Sequence, residues 1–230
     1  CQNRLAVVCM FIFAIIVILV CSAGIIAPDG YDEQHISEAF KKPSLEHIFG
    51  TDNFGRDIFV RVLYGGRITL LVSIASTIVA TLLGLLFGCT AGYFGGRVDN
   101  IIMRIMDVFM AIPSMIMAIV IATTMGSGMV TTILAVAIGA VPGFVRVVRA
   151  PILSIRSCEY VESARAIGAK PASIIIHHII PNIMAQVIVQ VTLGIANSII
   201  SVAGLSFLGL GVQPPTPEWG TMLSQARNYM

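Results

Sequence analysis

Few residues in this chain are placed to do chemistry on a bound group. His177 and His178 are adjacent, so on a helix they point to different sides, which is poor geometry for one metal ion. The five cysteines, Cys1, Cys9, Cys21, Cys89 and Cys158, are scattered. No pair has metal-ligand spacing and none lies between residues 27 and 67, so they read as small packing residues and not as a disulfide framework. The eleven methionines read as packing or lipid-facing side chains. No nucleophile stands beside a base. No G-x-x-x-x-G-K-[ST] phosphate loop occurs, and the chain has no Gly-Lys dipeptide at all. The expectation is no catalytic residue, no metal and no cofactor in this chain, and no nucleic-acid partner. Polar chemistry is left in two places: a stretch around Glu159, Glu162 and Ser163, and a row of amides and hydroxyls from Gln186 to Ser201.

The elements that carry these residues are apolar. The chain is 57% hydrophobic and 11% charged, with a mean hydropathy of +0.91. Soluble domains carry about one quarter charged residues. Here the charges cluster between apolar runs of roughly 18 residues or more, the pattern of membrane-spanning helices. A soluble domain with a very large core would need polar faces that these runs lack. The chain thus reads as an all-α polytopic helical bundle, one transmembrane domain over residues 1–230. Its first span is 5–26, closed by the turn cluster Ala27-Pro28-Asp29-Gly30. The uncharged run there exceeds the roughly 7–15 residue core of a signal peptide, so a retained span is expected. An outer segment, 27–67, follows. Residues 68–205 hold spans two to five: Ile68 to Phe94, Val108 to Thr124, Val130 to Val145, and Pro181 to Leu205. A second outer segment, 206–230, ends the chain.

Lys and Arg near the span ends set the orientation. With the amino end in the cytoplasm, the inner side holds Arg4, Arg97, Arg104, Arg146, Arg149, Arg156, Arg165 and Lys170. The outer side holds Lys41, Lys42, Arg56, Arg61, Arg67 and Arg227. Five of those six outer cations sit in one segment that also carries seven carboxylates, whereas the inner loops are short and net positive. The amino end is therefore placed inside, and with it the polar elbow of residues 150–181.

That elbow has helical punctuation. Ser157, Glu159 and Glu162 stand where a helix starts, and carboxylates there suit the positive end of the helix dipole. Gly168 stops the helix, Pro171 opens a second one, and Pro181 closes it and starts span five. The expected product is a hairpin of two short helices, apolar on one side. An ordinary loop lying on the bilayer surface is the alternative, but such a loop has little need of two prolines and a capping glycine.

Glu162-Ser163-Ala164, three further residues, Gly168, then a short run ending in Pro181 resembles the EAA loop of ABC importer permeases. Ser163 stands where that pattern has Ala, and His178 where it has Ile. Gly50-Thr51-Asp52-Asn53-Phe54-Gly55-Arg56-Asp57 with Tyr64-Gly65-Gly66-Arg67 is similar to dipeptide/oligopeptide permeases of the C type. So are Gly92-Tyr93-Phe94-Gly95-Gly96 with Asp99 and Asp107, and Ser206 to Gly211 with Pro214-Pro215 and Trp219-Gly220. The resemblance runs in order from Gly50 onward and implies a type I importer permease fold in the cytoplasmic membrane of a prokaryote. It implies an ATP-driven importer of small peptides, or a related solute such as nickel or glutathione, working by alternating access. Glu159, Glu162, Ser163, Ala164, Gly168, Pro171 and Pro181 would couple it to a separate ATPase. The implied partners are two ABC ATPase subunits carrying ATP and Mg, a second homologous permease and an extracytoplasmic substrate-binding protein. The family has six spans, so a sixth is expected to be missing here.

Two faces remain. Thr69, Ser73, Thr77 and Thr81, then Gly84, Gly88, Gly92 and Gly96, recur every four residues, and close helix packing is the favoured reading over pore lining. In span five, Gln186, Gln190, Gly194, Asn197, Ser201 and Gly204 share a face, and amides at membrane depth need partners or water. Interhelical glue and a translocation surface are equally open. Asp107 is expected to pair with Arg104 on the same helix face. Ile58, Phe59, Val62 and Leu63, opposite Arg56, Asp57 and Arg61, are expected to form an amphipathic helix on the outer membrane surface. An ion-coupled transporter or channel is the rival reading, weakened because the spans hold essentially no ionisable residue beyond boundary Asp107. A membrane scaffold without transport is the third.

Overall fold

The computed structural model describes residues 4–28 and 30–229, so Cys1 and Asp29, named above, lie outside the described residues. The first apolar run folds as α1 (Arg4–Cys21) and the single turn α2 (Ala23–Ile26). Its side chains are exposed almost throughout, with Met10, Phe11 and Ile18 all above 60%. A helix apolar on every side, buried among its described side chains only at Val20, suits a lipid surround.

The bundle proper begins with α3 (Ile58–Phe94), 37 residues without a break. Then come α4 (Gly96–Met110), α5 (Ser114–Met125) and α6 (Met129–Ile155). The elbow holds α7 (Glu159–Ala166) and α8 (Pro171–Ile174), joined through a π-helical turn at Ile175–Ile179 to α9 (Ile180–Phe207). Helix α10 (Trp219–Ala226) lies against α9 and the start of α3. Among the described residues, three helices are long and apolar enough to cross a membrane: α3, α6 and the continuous run Pro171–Phe207. The α4–α5 pair makes a fourth if taken together, although it is bent by 84°.

Three expectations are corrected. The run from Val108 to Thr124 is not one helix: it breaks between Met110 and Ser114. Pro113 lacks an N–H and drives Ile112 out of helical conformation, which an apolar count does not register. The stretch Ile58–Leu63 is not a separate surface helix but the opening turns of α3, capped where the Asp57 side chain accepts from the Val60 N–H at 3.1 Å. Pro181, finally, starts α9 as expected but does not close the helix before it, since the run Pro171–Phe207 is continuous.

The centre is the contact of α3 with α6. A Cβ on Gly84 would lie 2.5 Å from Phe144 Cβ, one on Gly88 2.7 Å from Val148 Cγ1, and one on Gly92 2.8 Å from Ile152 Cβ. Glycines every four residues on one helix thus receive large side chains every four residues on the other, ridge into groove. The packing reading holds for these three. Gly96 lies beyond the row, at the first position of α4, at φ +51° with open space around it. Higher on α3, Thr69, Ser73 and Thr77 are buried, and Thr77 Oγ1 lies 3.1 Å from Ser198 Oγ, which ties α3 to α9.

At the end of the bundle opposite the elbow, residues 30–57 and 208–229 clasp the start of α3. Asp52 is the hub: it accepts from the N–H groups of Phe54 and Arg56, from Arg56 Nε at 2.8 Å and from Arg61 Nη1 at 2.9 Å. Burial pushes the Asp52 carboxyl up, but these donors outweigh it and hold the group below its usual range. Arg56 and Arg61 are consequently 5% and 3% exposed, not the solvated face the sequence pattern suggests. Glu218, fully buried, caps α10 by accepting from the N–H groups of Gly220 and Thr221, and takes the Thr69 hydroxyl at 3.0 Å. Trp219 donates its indole N–H to the Val62 carbonyl at 3.0 Å and lies against Gly66, where a Cβ would approach its ring to 2.9 Å.

Candidate functional site: elbow surface and polar cleft

The elbow folds because one face of α7 is apolar and its ends are satisfied. Val161 and Ala164, three residues apart, are buried against Tyr93, Val148, Ile152, Ile174, Ile179 and Ile183. Cys158 occupies the N-cap without a side-chain capping bond, and Ser157, whose hydroxyl donates to the Ser154 carbonyl, does not cap the helix as its position suggested. Glu159 and Glu162 lie exposed in the first turn, where the helix dipole favours them. At the other end Gly168 takes φ +83°. Its N–H donates to the Arg165 carbonyl at 3.0 Å, and the Ala169 N–H to the Ala164 carbonyl at 3.1 Å, the paired bonds of a Schellman cap. Pro171 then opens α8 behind an extended Lys170.

The join to span five is a single widened turn. Pro181 has no N–H, and its ring would collide with a carbonyl one helical turn earlier. The chain accommodates it by a π turn in which the Ile180 N–H reaches back to the Ile175 carbonyl, while the Asn182 amide donates to the His178 carbonyl at 2.6 Å. The elbow residues named from sequence fall into two groups. Glu159, Glu162, Ser163, Gly168, Pro171 and Pro181 are exposed, whereas Ala164 is 8% exposed and faces the core. Sequence reasoning missed Tyr160 and Ile167, 44% and 85% exposed on the same elbow. An isoleucine just before a capping glycine, off the buried face, was the available signal. His177 turns to its own helix, with Nδ1 3.0 Å from the Ser173 carbonyl oxygen, and among the described residues no cluster fit for a metal forms.

The second polar feature is a cleft of about 520 Å³ between the α4–α5 break, α6 and α9. Gln190, Asn197, Ser198 and Ser201 line it from α9, Phe109, Met110 and Ile112 with Pro113 to Met115 from the break, and Gly139, Ala140 and Pro142 to Phe144 from α6. Gln186 is not among them; it lines a smaller cleft with Val147, Ala185, Val189 and Gln190. Gln190 therefore stands where the two meet. Among the described residues the side-chain amides of Gln186, Gln190 and Asn197 make no hydrogen bond, while Ser201 gives its hydroxyl to the Asn197 carbonyl. The glue between α3 and α9 is instead Thr77 with Ser198.

Two ion pairs bind α4 to α6 near the elbow. Arg149 grips Asp99 through two nitrogens, and Arg146 Nη2 lies 2.6 Å from Asp107 Oδ1. The expected Asp107–Arg104 pair is corrected here: a guanidinium on the neighbouring helix reaches the carboxylate.

The chain matches the family model described as the binding-protein-dependent transport system inner membrane component over residues 84–230. It also matches that of the N-terminal TM domain of oligopeptide transport permease C over residues 1–43. It is similar to the dipeptide transport system permease protein DppC of Alkalihalophilus pseudofirmus, 42% identical over 100% of this chain and 75% of that protein. It is likewise similar to the glutathione transport system permease protein GsiD of Pectobacterium atrosepticum, 45% identical over 89% of this chain and 67% of that protein. Among solved structures, an inward facing form of the MetNI methionine ABC transporter superposes with a TM-score of 0.61 at 20% identity, covering 73% of this chain and 81% of that one. That likeness fixes the fold as that of a type I importer permease. With its apolar spans and these matches, the chain belongs to the family of binding-protein-dependent transport system inner membrane components, the membrane-embedded permease subunits of ATP-driven importers.

Proposed function

We propose that this permease takes its drive through the elbow and passes its cargo along the α9 face. The carrying observation is that Glu159, Glu162, Ser163, Tyr160, Ile167 and Pro171 stand exposed on a capped, rigid knuckle whose other face is packed into the ends of α3, α6 and α9. Such a knuckle fits a docking surface for a separate ATPase, which carries the ATP and Mg that this chain has no motif to bind. The elbow then faces the cytoplasm, and residues 30–57 and 208–229 face outward to receive a substrate-binding protein. The full machine holds this subunit, a second homologous permease and two ATPases. The cargo is a small peptide or a related solute such as glutathione, as the names of the relatives suggest. Gln186, Gln190, Asn197 and Ser201 border its path.

The test is a cysteine scan in the assembled complex. Ser163→Cys and Ala172→Cys lie on the exposed face, whereas Ala164 is too buried to report. Cross-linking from both to the ATPase subunit, with changed yield when nucleotide is bound, is the expected outcome. Cross-links only to extracytoplasmic partners overturn the reading. Gradient-driven uptake without ATP in proteoliposomes would instead support a secondary transporter.

A further inference from the structure

The lining of the large cleft has a property that its polarity conceals: no residue in it is ionisable. Gln190, Asn197, Ser198, Ser201 and Ser114 supply the polar atoms, and Phe109, Met110, Met115, Phe144 and their neighbours the rest. The charged residues that flank the lining in sequence, Asp107 before Phe109 and Arg146 after Phe144, neutralise each other across 2.6 Å. A site built to hold an ion carries counter-charges for it. A passage must bind weakly enough to release. A neutral lining does the second and not the first.

The amides add a pattern. A carboxamide offers both donor and acceptor, as a peptide group does. The amides of Gln190 and Asn197 are unspent within the described chain. Seven residues on one helix separate them by about 10 Å along the axis, close to the length of three residues of an extended peptide at roughly 3.3 Å each. Gln186 continues the row one turn nearer the elbow.

We propose that the cleft is blind to the charge of its cargo, and that Gln190 and Asn197 hold passing solutes by hydrogen bonds to amide groups about one tripeptide length apart. This rests on the reading of the α9 face as the transport path. Selection by charge then lies outside the cleft, and one charge placed within it creates selection where none exists.

The experiment uses the complete complex in proteoliposomes, with ATP-driven uptake of tri-alanine and its Ala-Lys-Ala and Ala-Glu-Ala analogues as probes. The readout is the cationic-to-anionic uptake ratio of each variant divided by that of the wild type, which cancels selection made by the binding protein. Gln190→Glu should raise the ratio and Gln190→Lys lower it, each by about three- to fivefold, the range of a solvated charge pair. Asn197→Asp should follow Gln190→Glu. If Gln190→Leu and Asn197→Leu slow all three peptides but the charged variants leave the ratio unchanged, the path stands and charge blindness falls. Unimpaired uptake in both Leu variants removes the path itself, and absent uptake of every probe by wild type removes the peptide cargo. Failure of all Gln190 and Asn197 variants to assemble makes these residues glue between subunits and overturns the proposal.

Discussion

His47 is the side chain whose protonation bears most directly on the outer segment. Its Nδ1 lies 2.9 Å from Asp57, the N-cap of α3, and its Nε2 3.3 Å from Glu38, which also pairs with Lys41. The hydrogen bond to Asp57 raises the imidazole above its ordinary value; burial opposes this and Glu38 assists. A raised folded-state value means that the contribution to stability is complete below the unfolded value of about 6.5 and is lost as pH rises through the folded one. Protection of residues 38–57 from trypsin should therefore fall as pH rises above about 6.5. His47→Gln should make the profile flat. A wild-type profile that is already flat, or one that rises, refutes the assignment.

At the scale of the helices, α3 is legible from its residue spacing. Gly84, Gly88 and Gly92 announce a close neighbour because only a missing side chain, repeated every turn, leaves a groove in lipid where helices meet without a hydrophobic drive. Gly88→Leu should cost about 1–3 kcal/mol or prevent folding, since Val148 and the Val145 carbonyl already fill that space. Gly143→Ala, with nothing within 4 Å, should leave the melting temperature in detergent unchanged or slightly higher. Equal loss in both variants contradicts the groove. Other elements were hidden. Asp52 precedes Arg56 by four residues and Arg61 by nine, and only the turn at Gly55 brings both guanidiniums onto one carboxylate. Alternation of polar and apolar residues therefore misread buried cations as a wet face. Pro181 misled in the same way. Proline signals interruption, yet one widened turn absorbs it and the helix goes on. At the site, the capped elbow could be read from Gly168 and Pro171, because each has a conformational requirement that spacing exposes. The cleft could be read only in part. Gln190, Asn197 and Ser201 share a face, but the opposing wall comes from a break at Pro113 that apolar runs conceal.

Across the whole molecule, two long members cross the bundle and meet the elbow. One is α3, and the other is the run from Pro171 to Phe207, each 37 residues or about 55 Å long. The second starts in the exposed knuckle and bears Gln190, Asn197 and Ser201 further along, so the proposed docking surface and the proposed path lie on one rod. The widened turn at Ile175–Ile179 acts on that rod as a phase setting. Its surplus residue fixes the azimuth between the knuckle and the amide row, much as a keyway fixes a cam on its shaft. Inserting one alanine after Met184, where α9 has ordinary winding, should rotate one section against the other by about 100°. Hydrolysis by the assembled complex should then continue while solute ceases to cross, an engine idling with its transmission out of time.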